Sequence, residues 1–271
     1  REIVMDLLEM ISGNRVHYAI NTIGGVRRDI DEGQKAKILE GIVTLRKRSE
    51  YYFGIGANEP SFVARIAGVG MLTKQQAIDL CAVGPVARAS GVARDVRKED
   101  PYAVYDELDF NVCTSDSCDV LGRVVVRVLE LLQSYNMIEQ MVKGLPDGDI
   151  VVKAPRKAKP GEAVSRYEAP RGENIHYVKS NGTDKPERLK VRAPTLGNYP
   201  ATIEMLKKGF IADIPLIFAA IDPCICCAER AVTLVSAGTG EESVVRMSDL
   251  RRRALARPEN APVKGNAVWP F

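Results

Sequence analysis

The chain has 271 residues, 45% of them hydrophobic and 27% charged, with a net charge of +3 at neutral pH. These are the proportions of a soluble globular protein long enough to bury a sizeable core, as one large domain or two smaller ones. Lys/Arg and Asp/Glu are interspersed, which leaves no footprint for nucleic acid, and no apolar run approaches the ~20 residues that span a bilayer.

Residues 1–12 carry Ile3, Leu7, Leu8 and Ile11 at helical spacing, closed by Gly13-Asn14 as a C-cap. The chain opens at Arg1, inside that helix-like segment and with no signal-peptide pattern, so a fragment lacking its N-terminal part is expected. Gly24-Gly25 permits a tight or left-handed turn, either an ordinary loop or backbone that approaches a partner or cofactor. A helix is expected from about 31 to 51, burying Ile38, Leu39, Ile42, Val43 and Leu45. Residues 84–98 set Arg88, Arg94 and Arg97 among apolar residues. They form either a loop that packs inward and places guanidinium groups, or a salt-bridged surface loop. Asp106, Glu107 and Asp109 follow, three carboxylates usable as proton carriers or simply solvated.

Cys113 and Cys118 could ligate a metal or form a disulfide, and are taken as two unrelated thiols near a helix start. The longest helix, about 117–143, carries an apolar stripe from Val120 to Met141 and is stopped by Gly144-Leu145-Pro146. Residues 147–165 are rich in Pro, Lys and Gly and make an exposed linker. A compact β segment follows, 167–173 and 175–178, a turn at Asn181-Gly182, then 189–195, which argues for a hairpin. Helices at about 199–208 and 211–220 lead into Asp222-Pro223-Cys224-Ile225-Cys226-Cys227-Ala228-Glu229-Arg230. Beyond it lie apolar stretches at 232–235 and 244–247, the basic run Arg251-Arg252-Arg253 and a Pro/Asn-rich end, and no internal repeat is found. The fold expected is mainly α with a small β segment (α+β). It divides into a helical core at 1–146, a linker and β segment at 147–195, helices and the cysteine motif at 196–230, and a C-terminal extension at 231–271.

Six unevenly placed cysteines do not make a disulfide scaffold, and a reducing compartment is expected. Three of the six fall within four consecutive positions, 224–227. The C-x-x-C spacing of Cys224 and Cys227 lets one turn of backbone aim two sulfurs at a single metal ion. Thiolates are soft ligands, so zinc, nickel, copper(I) and iron–sulfur centres are the candidates. Two sulfurs make half of a tetrahedral thiolate site.

Asp-Pro-Cys-x-x-Cys-x-x-Arg at 222–230 resembles the C-terminal nickel-binding motif of nickel–iron hydrogenase large subunits. The likeness is greatest to the membrane-bound, energy-converting group that includes formate hydrogenlyase and the Ech/Mbh-type enzymes. Gly24-Gly25-Val26 and the segments 84–98, 167–172 and 189–194 also resemble the quinone-site large subunit of respiratory complex I, whose members lack the metal-binding cysteines. The resemblance implies a multihelical large-subunit fold with its N-terminal part missing. It implies that Cys224 is a terminal nickel thiolate, that Cys227 bridges nickel and iron, and that Cys226 is a buried thiol with no ligand role. Asp222 and Arg171 would form a canopy over the open side of the centre, with Arg171, Asp222 and Cys224 the catalytic set. Pro170, Ala193, Pro194 and Thr195 would line the pocket around the CO and CN ligands of iron, Thr195 donating to a cyanide nitrogen.

In that family two more ligand cysteines come from an N-terminal C-x-x-C, and no such pair precedes Cys81 here. Either that half lies upstream of Arg1 or on another chain, or the centre is not held; the family's N-terminal proton-relay glutamate is missing for the same reason. Maturation in many members cuts after the motif, which would make 231–271 a removable tail. The implied function is that of the catalytic large subunit of an energy-converting hydrogenase, 2H+ + 2e− to H2 and back. Its implied partners are an iron–sulfur small subunit carrying a 4Fe–4S cluster, membrane antiporter-like subunits and ferredoxin, at the cytoplasmic face of the cell membrane. The alternative is a non-hydrogenase, complex I-like coupling subunit with an incomplete or empty metal site. A plain zinc site is a third reading, which leaves Arg171 and Pro194-Thr195 unexplained.

Overall fold

The apolar spacing at the start of the chain folds as α1 (Glu2–Ser12), which ends on Gly13 in the left-handed conformation (φ 79°), its amide bonded back to Glu9. The structure is a computed structural model. It describes residues 1–256 except 156, 208, 229, 230, 247, 250, 251 and 253–255, so Arg230, Arg251 and Arg253 lie outside the described residues. Two compact units emerge, Arg1–Pro223 and Cys224–Phe271.

In the first unit, β1 (Asn21–Thr22) and β2 (Gly25–Val26) form a minimal antiparallel hairpin. Its glycines do admit a close backbone approach, and the neighbour is this chain itself. Gly25 bridges Val151, and the Val26 and Val152 amides donate to the carbonyls of Ile150 and Gly24 at 2.9 Å. A Cβ on Gly24 would sit 2.4 Å from the Val152 oxygen, at φ +96°. α2 (Glu32–Asn58) starts on a capping box between Asp31 and Gln34 and runs past 51, since the next proline is Pro60. α3 (Pro60–Ile66) and α4 (Lys74–Asp79) follow.

Residues 84–98 contain two helical turns, α5 (Pro85–Arg88) and α6 (Val96–Glu99), rather than loop alone. Proline at the first position starts α5, and the Asp95 side chain caps α6. Every residue from 84 to 90 is buried, so the inward-packing reading of this segment holds.

α7 (Val120–Lys143) begins after its cap Asp119, which accepts from the Gly122 amide at 2.8 Å. The helix contributes to each of the three apolar clusters found among the described residues. Val120 packs with Ile66, Leu72, Val86, Met205 and Ile217; Tyr135 packs with Ile38 and Ile42; Met137 packs with Leu108 and Phe110. Each aliphatic side chain so buried contributes about 1.5–3 kcal/mol, which makes α7 the spine of the unit.

A three-stranded antiparallel sheet follows in the order β3 (Gly161–Ala169), β4 (Gly172–Ser180) and β5 (Pro186–Arg192). β3 starts inside the expected linker, because residues 161–165 are exposed on both faces and carry no apolar alternation. The Asn181-Gly182 turn stands where expected, between β4 and β5. A second turn, at Pro170-Arg171, interrupts what the sequence suggested was one extended stretch. Then come α8 (Pro194–Gly197), α9 (Tyr199–Leu206), a 3-10 turn (Ile211–Asp213) and α10 (Ile214–Ala220). The second unit holds α11 (Ile225–Ala228) and an antiparallel hairpin of β6 (Ala231–Val235) and β7 (Glu242–Arg246). The chain is mainly α with a small β segment, as expected, and no described helix is long and apolar enough to cross a membrane.

Candidate functional site

Arg171 sits at the tip of a β-hairpin. Ala169 pairs with Gly172, so Pro170 and Arg171 are the whole loop, and the tip is seated by a contact between two glycines. A Cβ on Gly172 would lie 2.6 Å from the Gly84 nitrogen, and one on Gly84 would lie 2.4 Å from the Gly172 Cα. Both glycines also have positive φ, +122° and +65°, so no side chain fits at either position without moving the tip. Pro170 beside it is exposed.

From this tip Arg171 reaches the end of α10. Its Nε donates to the Asp222 carbonyl and its Nη2 to Asp222 Oδ1 at 3.2 Å. Asp222 itself has left-handed backbone, φ 53°, and its amide donates to Ala219 O at 3.0 Å. The carboxylate faces a second guanidinium as well: Arg127 Nη1, from α7, stands 3.8 Å from Oδ2. Arg127 Nη2 donates to the Ala220 carbonyl at 3.3 Å. Burial holds Arg127 below its ordinary pKa; Asp222 and Glu130 pull the other way and Arg171 adds to the depression. One turn earlier on α7, Arg123 is fully buried, donates to the Gly70 carbonyl, and is pushed down to about 10 by burial.

Beneath the hairpin lies a buried charge network. Arg88, 1% exposed, donates from Nε to Glu130 at 2.6 Å and from Nη1 to Glu168 at 2.8 Å. Its Nη1 also lies 3.7 Å from Asp95, which pairs with Arg97 at 2.6 Å. Burial alone would lower Arg88, but Glu130 and Glu168 more than reverse that. Glu168 is on β3, three positions before Arg171, so the network anchors the strand that carries the hairpin tip.

The remaining expected residues fall as follows. Ala193 is the residue before α8, and Pro194 and Thr195 are its first two residues, all three buried. In the second unit, Cys224 immediately precedes α11 and Cys227 lies within it, and the turn is closed by the Ala228 amide on Cys224 O at 3.1 Å. Residues three apart on such a turn share a face, and both cysteines are half-buried. Cys226, expected to be buried, is exposed, because the intervening position of the turn points off that face.

As a donor set, Cys224 and Cys227 suit a soft metal, and they fit half of a four-thiolate centre. Among the described residues there is no group of three or more His, Cys, Asp or Glu that could hold a metal. Sequence reasoning missed Arg127 and Arg123. Their one available signal was two arginines four apart inside the apolar pattern of α7. A cleft of about 500 Å³ between Arg65, Met71, Glu204 and Phe210 includes none of the residues of this site.

Comparison with known proteins places these features in context. The family described as respiratory-chain NADH dehydrogenase, 49 Kd subunit, matches residues 1–160 and 156–230. The chain is 44% identical over 237 residues to the carbon monoxide-induced hydrogenase of Rhodospirillum rubrum, covering 85% of this chain and 64% of that one. It is 39% identical over 224 residues to an NADH-quinone oxidoreductase subunit of Dehalococcoides mccartyi, covering 82% and 61%. Among solved structures it is similar to a chain of the membrane-bound sulfane sulfur reductase, an archaeal respiratory membrane complex. There the TM-score is 0.76 at 35% identity, over 81% of this chain and 62% of that one. The chain spans less than two thirds of the length of each of these relatives.

Proposed function

The chain belongs to the family of the respiratory-chain NADH dehydrogenase 49 Kd subunit, and within it we propose that this is the catalytic large subunit of an energy-converting nickel–iron hydrogenase. The reaction is the reversible reduction of 2H+ by two electrons to H2. One observation carries the proposal: an ion pair of Arg171 and Asp222 closes α10, and two positions further on Cys224 and Cys227 present thiols from one helical turn. The similarity to a carbon monoxide-induced hydrogenase over most of the chain supports it.

A nickel–iron centre, when bound, supplies the metal at which H2 is made or split. Cys224 and Cys227 would hold it through their two sulfurs, which are half of a four-thiolate donor set. Arg171 is held at Nε and Nη2 by one residue, Asp222, so its remaining N–H groups are fixed in direction before any substrate arrives. Donors fixed in advance cost no reorganisation when charge develops in front of them. Arg171 is a planar fork of donors with no acceptor, so it orients and polarises, and proton movement falls to a group such as the Cys224 sulfur. Pro194 and Thr195, buried in the first turn of α8, would line the iron side, with the Thr195 hydroxyl as the polar group there.

In this proposal electrons come from ferredoxin through a 4Fe–4S cluster on an iron–sulfur small subunit. Membrane antiporter-like subunits take up the coupled ion movement, with this subunit peripheral on the cytoplasmic face of the membrane. A second reading, a complex I-like coupling subunit without nickel–iron chemistry, is supported by the 39% identity to the NADH-quinone oxidoreductase relative. Replacing Cys224 by Ala in the intact complex separates the two. Loss of H2 evolution by more than ~100-fold is expected if Cys224 acts in the chemistry, the scale on which single catalytic groups contribute. An unchanged rate would rule out the catalytic assignment.

A further inference from the structure

Asp222 occupies a demanding position. A non-glycine residue with φ 53° is strained relative to ordinary backbone, so the conformation must be held from outside. Arg171 takes the Asp222 carbonyl and Oδ1, which leaves Oδ2 and the last turn of α10 to be fixed by something else. The last carbonyls of a helix have no donor within it, and a cation there is favoured by the helix dipole. Arg127, on α7, meets both needs, with Nη1 facing Oδ2 at 3.8 Å and Nη2 donating to Ala220 O at 3.3 Å. The hairpin tip and α7 thus both hold this one residue.

Arg127 is also an expensive side chain for its place. Its Nε is buried without a hydrogen-bond partner among the described residues. The Arg127 side chain is 26% exposed, yet a guanidinium whose Nε is shut off from water and from any acceptor carries a desolvation cost that an apolar side chain of similar volume would avoid. Packing alone therefore does not account for an arginine here. The geometry points to Arg127 as a positioning residue of the site: it fixes the second carboxylate oxygen of Asp222 and the end of α10, so that Arg171 and Asp222 keep one mutual orientation. This rests on the reading of 222–227 as the hydrogenase site only for its consequence in catalysis; the grip itself stands on contacts within residues 1–223.

The test compares Arg127→Gln and Arg127→Lys with the native protein in the intact, purified complex, by hydrogen–deuterium exchange and by the infrared bands of iron-bound CO and CN. Loss of a charged hydrogen bond predicts about tenfold or faster exchange in peptides covering 217–223 for Arg127→Gln, with 131–143 unchanged. Arg127→Lys keeps the charge and stem and should recover part of the protection. The infrared bands should shift in Arg127→Gln and return towards native in Arg127→Lys, a signature that lost packing would not follow. Native exchange at 217–223 in Arg127→Gln overturns the grip, as does faster exchange spread equally over 131–143. If Arg127→Gln does not assemble, Arg127→Lys decides alone: exchange at 217–223 between native and fully unprotected supports the proposal, and native exchange overturns it. A native complex without CO and CN bands overturns the hydrogenase reading and leaves the exchange result to decide the role of Arg127.

Discussion

At the scale of single residues, the Arg171–Asp222 pair is worth more as an orienting device than as glue. The Arg171 side chain is 28% exposed and that of Asp222 44%, so water screens the pair and its share of stability is at most about 1 kcal/mol. Arg171→Lys keeps the charge but replaces a planar fork by a single point donor, which cannot serve the Asp222 carbonyl and carboxylate together. The expected result is a loss of about 100-fold in H2 turnover at unchanged nickel content, with thermal stability within a few degrees of native. Native turnover in that variant would show that the fork is dispensable. The pairing of Arg171 with Asp222, and the shared turn of Cys224 and Cys227, were legible in the sequence because these residues stand in a fixed order along it. Arg127 was not, since nothing in an apolar helix pattern shows which neighbouring element an embedded arginine will meet. Cys226 was misjudged because residue type alone favours burial, while the turn of α11 turns that position outward.

At the scale of elements, the site depends on how one hairpin is seated. Its tip touches α5 through Gly84 and Gly172, and its first strand is tied to α5 and α7 through Arg88. Gly172→Ala adds a Cβ within 2.8 Å of Val83 and at a φ that side chains avoid, and should cost about 2–4 kcal/mol in denaturant unfolding. Arg88→Met fills the space but leaves Glu130 and Glu168 without their cation, and should cost about 3–5 kcal/mol, read in the same measurement. If the second variant were as stable as the native protein, the buried network would not be what anchors β3. The Asn181-Gly182 turn was visible in advance, because those residues tolerate the conformations that tight turns demand. The turn that carries Arg171 was not, since its first residue, Pro170, is no special mark of a two-residue hairpin. The start of β3 was hidden for another reason: a strand exposed on both faces has no alternation to detect.

At the scale of the whole molecule, the buried charges give stability a defined dependence on pH. Burial alone would raise the Asp95 carboxyl, but the hydrogen bond and charge of Arg97, with Arg88, lower it below its ordinary value. A carboxylate depressed on folding stabilises above its unfolded pKa, about 3.9, and loses that contribution as pH falls through the lower folded value. The native protein should therefore exceed Asp95→Asn in stability by a constant margin from neutrality to about pH 5. That margin should shrink as the pH drops below about 4. Denaturant titrations at stepped pH measure it, and a margin that widened on acidification would contradict the assignment. Glu168 has the opposite sign. Burial raises its folded pKa, so its ionisation towards neutrality costs stability, which Arg88 offsets in part. The mainly α architecture and the order of its parts were legible because helix periodicity and caps are local. The placing of 127 beside 222 was not, because contacts between distant segments are fixed by packing rather than by any nearby residue.

The central claim is the proposal that Cys224 and Cys227 hold a nickel–iron centre. Elemental analysis of nickel and iron in the native, full-length protein within its purified complex, beside the Cys224→Ala/Cys227→Ala variant, tests it most directly. The account predicts nickel in stoichiometric amount in the native protein and its absence from the variant. A native protein without nickel, or a variant that retains it, would contradict the account.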